Sequence, residues 1–104
     1  MLWYHAGTVL STMLTYQEKR EYLMTVLFRS KKLSKSEKLV ALALAFKIDY
    51  TGVTRMTQAE IGAMASLTPK GVRTVLQRLT QKIQLEVRKE KGRNTYYFIQ
   101  WAQI

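Results

Sequence analysis

A chain of 104 residues has room for one domain with a modest core, and 47% apolar residues rule out disorder by composition. The absence of cysteine removes disulfides and thiolate metal sites. Seventeen Lys and Arg against seven Asp and Glu leave a net charge of +10, which implies an anionic partner, nucleic acid first and a membrane surface second.

The first fifteen residues hold β-tolerant pieces, Leu2-Trp3-Tyr4 and Thr8-Val9-Leu10, followed by Met13-Leu14. They lack the basic start of a signal peptide, and their uncharged run is too short to span a bilayer. They read as a structural arm that packs on the domain or crosses to a second subunit, and a cytoplasmic location is expected.

Thr15-Tyr16-Gln17-Glu18 is a capping box, in which the hydroxyl takes an orphan N–H and the carboxylate reaches back. It predicts a helix to about Arg29 with an apolar stripe of Tyr16, Leu23, Met24, Leu27 and Phe28. That stripe serves core packing or homodimerisation, and the two are compatible. Residues 1–32 are therefore set apart as arm and helix, with the domain proper at 33–104.

Ser30-Lys31-Lys32 makes a basic link, and Ser34 with Glu37 caps the next helix. Leu39, Val40, Leu42, Ala43, Leu44 and Phe46 are apolar on more than one face, as in a central helix covered by several neighbours. Lys35, Lys38 and Lys47 bracket it too closely for membrane insertion. Asp49-Tyr50-Thr51-Gly52 ends it, and Val53 to Met56 supply a short strand able to pair with a later hairpin.

Thr57 and Glu60 form a third capping box, ahead of an apolar set of Ile61, Met64 and Ala65. Ser66-Leu67-Thr68 breaks that pattern. Thr68 is the next N-cap, and Pro69 sits at the first helical position, where its missing N–H does no harm. At roughly 100° per residue, Val72, Val75, Leu76 and Leu79 gather on one face of helix 69–81. Lys70, Arg73, Thr74 and Gln77 gather opposite, with Arg78 at the flank. Such side chains suit a DNA groove: Arg bonds guanine bidentately, Gln bonds adenine, and Thr meets a thymine methyl. The same pattern also describes an ordinary amphipathic helix with a solvated basic face. The following hairpin weighs against that plainer reading.

Leu85 and Val87 alternate with Glu86 and Arg88, and Lys89-Glu90-Lys91-Gly92-Arg93-Asn94 supplies a turn. Gly92 and Asn94 are the residues expected to take positive φ there. Thr95 to Gln100 reads as the return strand, which Trp101 continues. Lys91 and Arg93 stand at the tip, where they either meet phosphates or serve as solubilising charge.

Residues 33–98 resemble the winged helix-turn-helix superfamily, and most of all its small versions in phages, plasmids and other mobile elements. The resemblance rests on Leu33-Ser34-Lys35-Ser36-Glu37-Lys38-Leu39-Val40 as lead helix and on Thr57-Gln58-Ala59-Glu60-Ile61-Gly62. Leu67-Thr68, Val72-Arg73, Leu76-Gln77-Arg78-Leu79, Glu86-Val87 and Tyr96-Tyr97 complete it. It implies a mostly α fold with a small antiparallel β-sheet, here with an additional N-terminal helix. Family members usually place a glycine after the recognition helix, whereas this chain has Ile83-Gln84-Leu85. Without a left-handed residue to end the helix, a different turn or a longer helix is expected.

The function expected is sequence-preferring binding of double-stranded DNA, as a small transcriptional regulator, a repressor by occupancy. Lys70, Arg73, Thr74 and Gln77 point to base edges, while Arg78, Lys82, Lys91 and Arg93 hold phosphates. A replication or mobile-element accessory binding origin or single-stranded DNA is the alternative, and a protein–protein module the third reading. Catalysis is not expected, because His5 and Asp49 are the chain's sole histidine and aspartate, and there is no Gly-rich phosphate loop. The same inventory predicts no cofactor, no metal, no membrane association and no small-molecule ligand.

Overall fold

The computed structural model describes residues 14–104, so the arm at 1–13 lies outside the described residues. The fold is mostly helical with a small antiparallel sheet. In chain order it runs α1 (Tyr16–Arg29), α2 (Lys35–Phe46), β1 (Val53–Arg55), α3 (Gln58–Ala65), α4 (Pro69–Lys82), β2 (Leu85–Glu90) and β3 (Arg93–Phe98), closing in a 3₁₀ helix at Ile99–Gln103. No described helix is long and apolar enough to cross a membrane.

Three helices open with the same local device. Thr15 with Glu18, Ser34 with Glu37 and Thr57 with Glu60 each exchange side-chain and backbone hydrogen bonds of 2.9–3.3 Å. Each box satisfies two backbone donors that a helix start otherwise leaves open. α4 starts differently: Thr68 Oγ1 accepts from Gly71 N at 3.1 Å, and Pro69 occupies the first turn.

α2 is the centre of the core. Val40, Ala41, Leu44 and Ala45 are buried on it, and α1, α3 and α4 all pack against it. α1 contributes Leu23 and Leu27, α3 contributes Ile61 and Ala65, and α4 contributes Val72, Val75, Leu76 and Leu79. Burying a side chain of this size stabilises by roughly 1.5–3 kcal/mol relative to leaving it in water. Leu23 and Leu27 thus place α1 within the same hydrophobic cluster as residues 33–104. Thr54 Oγ1 donates to Leu44 O at 2.7 Å, which ties β1 to the central helix.

The sheet has the order β1-β3-β2, with Val53 opposite Tyr97 and Leu85 opposite Phe98. Alternation along β3 sends Tyr96 and Phe98 into the core. Tyr97 faces the other way, where the Arg88 guanidinium lies 4.5 Å from its ring and its hydroxyl donates to Glu90 at 3.0 Å.

Several expectations are corrected in detail. The hairpin turn is only Lys91-Gly92, with φ of 51° and 78°, and Glu90 pairs Arg93 directly across it. Positive φ at both central residues is the type I′ geometry, whose twist matches the flanking strands. Asn94 therefore lies in the ladder opposite Lys89 and takes no positive φ. The return strand ends at Phe98, because β2 begins at its partner Leu85 and β1 reaches only Tyr97. Trp101 accordingly sits in the 3₁₀ turn and donates to Tyr50 O at 3.1 Å.

The helical stripes are narrower than their composition implied. Phe28 is 65% exposed, and Leu39, Phe46 and Met64 also show large faces to solvent. Phe28 lies about 100° around the helix from Leu27, so its ring leaves the α1–α2 seam and stands under the Lys38 ammonium at 5.8 Å. α4 ends at Lys82 without a left-handed residue. Ile83 N still donates to Leu79 O at 3.0 Å, and Ile83 itself is extended, at φ −129°.

Candidate functional site

α4 has two opposed faces, and the turn before it aims them. Ser66 takes φ 58°, and the N–H groups of Ser66 and Leu67 both converge on Gly62 O, the second at 2.9 Å. Leu67 O comes so close to Gly62 that a Cβ there would lie 2.3 Å from it. Glycine thus permits the close approach, and the approach fixes α4 against α3. Val72, Val75, Leu76 and Leu79 then turn inward.

Everything opposite them is exposed and polar. Lys70, Arg73, Thr74, Gln77 and Arg78 are all exposed, and Gln81 continues the row one turn on. Thr74 Oγ1 donates to Lys70 O at 3.2 Å, a bond within the helix. The ion pairs of the described residues involve Arg55, Lys82 and Arg88, so Lys70, Arg73 and Arg78 carry no acidic partner among them. α4 contains no acidic residue. Its first turn leaves the helix dipole uncompensated, whereas Glu18, Glu37 and Glu60 neutralise the starts of the other helices.

Lys82 does not stand with these cations. Its Nζ lies 2.8 Å from Glu37 Oε1 and 3.2 Å from Lys32 O, clasping the end of α4 to the start of α2. Glu37 is 1% exposed, and the hydrogen bond from Lys82, then that from Ser34, holds its carboxyl below the usual carboxylate range despite burial. Lys82 is committed to the fold, and the outward face loses it.

The hairpin presents a second basic surface. Lys89, Lys91 and Arg93 are exposed around the turn. Glu90 is engaged by Tyr97, and Arg88 is paired with Glu86. Between the hairpin and the start of α3 runs a groove lined by Arg55, Thr57, Glu60, Lys91, Arg93 and Asn94. Glu60 is held below the usual carboxylate range by the Thr57 backbone bond, then its hydroxyl, with smaller help from Arg93 and Lys47. Its charge is spent on the helix start.

Sequence reasoning passed over Gln81, Lys89 and Arg55 on this surface. The first is an i+4 neighbour of Gln77, so helical spacing alone would have found it. Lys89, expected in the turn, lies in β2 because the loop is only two residues long. Arg55 pairs Asp49 at 3.0 Å, a contact with no local sequence signal. No group of three His, Asp or Glu among the described residues is placed to hold a metal ion.

The arrangement is a four-helix core that displays one polar, acid-free helix face, with a basic hairpin next in the chain. Comparison with family models, curated proteins and solved structures finds no match to this chain.

Proposed function

We propose that the chain is a winged helix-turn-helix protein that binds double-stranded DNA. In this reading α3 and α4 form the helix-turn-helix, α4 enters the major groove, and the β2–β3 hairpin is the wing. The observation that supports it most is the division of α4: one face buried, the other offering Lys70, Arg73, Thr74 and Gln77, none in an ion pair among the described residues. Those side chains match the donor and acceptor patterns of base edges in the major groove. The uncompensated start of α4 favours a phosphate there.

The wing turn adds a physical hint. A type I′ turn favours Asn-Gly, yet Lys91 occupies the first left-handed position. A lysine held there at a conformational cost of about 1 kcal/mol fits a charge that has a task. Phosphate contacts then come from Arg78, Lys91 and Arg93, with Lys82 left out. The role is that of a small transcriptional regulator, a repressor acting by occupancy.

The test is fluorescence anisotropy with the chain's own upstream duplex, a scrambled duplex and a matching single strand, each at 50 and 200 mM salt. Three phosphate contacts predict a slope of log K against log salt of about −2.7 per protomer, a loss of roughly 40-fold across that range. A preference for the upstream duplex that survives at 200 mM is the expected result. Equal or better binding to the single strand would replace it with the replication reading. No saturable binding to any of the three would end the DNA reading.

A further inference from the structure

Some of the exposed apolar side chains away from α4 gather on one face. Met24 of α1, Leu39, Leu42 and Phe46 of α2, and Met64 of α3 line one open groove. Leu39, Phe46 and Met64 are 41%, 46% and 43% exposed, and Phe28 continues the patch one turn beyond Met24. Leu39 to Phe46 covers two helical turns, about 10 Å, which is the span of anchors at i, i+3 or i+4 and i+7 on a docked helix. Two methionines give the walls the adaptability of surfaces that grip helices.

The groove's rim is cationic. Arg20 lies 5.3 Å and Lys47 5.8 Å from the Phe46 ring, and Lys38 lies 5.8 Å from the Phe28 ring. None of the three forms an ion pair among the described residues, although Lys47 lies near enough to Glu60 to help hold its carboxyl down. Glu60, four residues before Met64 on α3, is occupied at Thr57 N, at 2.9 Å. We infer that this groove docks an amphipathic helix of a partner protein whose flanks are acidic. A second copy of the chain would bring two cationic rims together, and a net charge of +10 on each copy adds to that opposition. The groove involves no residue of the α4 outward face, so the inference does not depend on DNA binding.

The experiment displays a library of 16-residue helical segments, with apolar anchors fixed and flanks randomised, and selects it on the full-length chain. Enriched segments should carry Asp or Glu at the flanks. They should bind Leu39→Asn and Met64→Asn at least tenfold more weakly, both variants having circular dichroism like the parent. Lys38→Glu with Lys47→Glu should weaken acidic-flanked segments and favour lysine-flanked ones. No enrichment, enrichment without acidic bias, or equal binding to the groove variants would overturn the inference. So would three other occupants: a dimer in sedimentation velocity that Leu39→Asn dissolves, vesicles with phosphatidylserine whose binding Leu39→Asn abolishes, or a photo-crosslinker at Leu39 that captures residues 1–13.

Discussion

Replacing Lys82 by methionine keeps most of the side chain's length and removes its charge from beside Glu37. Breaking a buried ion pair by deleting one partner costs about 3–5 kcal/mol, chiefly because the other charge is left stranded. Here the Lys82 side chain is 39% exposed and Glu37's is 2% exposed, so water reaches the stranded carboxylate through the space vacated. Ser34 N also remains as a donor to it, at 2.9 Å. Lys82→Met should therefore cost about 2–3 kcal/mol, and the melting temperature should fall by roughly 10–20 °C for a domain of this size. Adding Glu37→Gln to that variant should recover part of the loss, and the double-mutant cycle isolates the coupling. The pH dependence has a definite sign. Glu37's folded pKa is lowered, so the pair's contribution is complete above the unfolded value near ~4.3 and fades as pH falls through the folded one. The gap between parent and Lys82→Met should consequently narrow on acidification. Calorimetry at neutral and acid pH measures all of this. A loss under ~0.5 kcal/mol, together with a shallower salt slope in DNA binding, would refute the structural role and return Lys82 to the phosphate-binding set.

Arg73→Ala should leave thermal stability unchanged yet cost roughly 1–3 kcal/mol on the preferred duplex and little on a scrambled one, as read by anisotropy. Arg93→Ala should instead weaken every sequence alike and reduce the salt slope by about 1. Gly62→Ala should shift the urea midpoint by the equivalent of about 3 kcal/mol, because the new methyl meets the Leu67 carbonyl, and an unchanged midpoint would mean that the α3–α4 turn is looser than described. Lys91→Asn should stabilise by about 0.5–1 kcal/mol in denaturant unfolding, since asparagine tolerates the left-handed position, while weakening duplex binding.

The helix starts were legible because each depends on groups three residues apart. A hydroxyl at the cap and a carboxylate at the third position complete their bonds within one turn, whatever the rest of the chain does. The faces of α4 were legible for a related reason: its apolar residues recur at helical spacing with no exception. The clasp of Lys82 on Glu37 was not, because its partners are 45 residues apart and meet only after α2 and α4 pack. The exposure of Phe28, Leu39 and Met64 was also hidden. Composition shows that a residue is apolar, but only the packing angle of a neighbour decides whether it is covered. The end of β3 depended on where its partner strands stop, which lies elsewhere in the chain.

The separation of duties on α4 bears on how such a chain changes over generations. Its four inward residues carry the packing, and the side chains of its outward row make no ion pair and, beyond one hydroxyl bond inside the helix, no hydrogen bond in the described fold. Substitutions at exposed positions of this sort usually alter stability by less than about 0.5 kcal/mol. The outward row can therefore mutate one residue at a time without threatening the fold. If that row recognises DNA as proposed, its target is open to drift and reselection, while Gly62 and the buried quartet are held in place by the geometry they create.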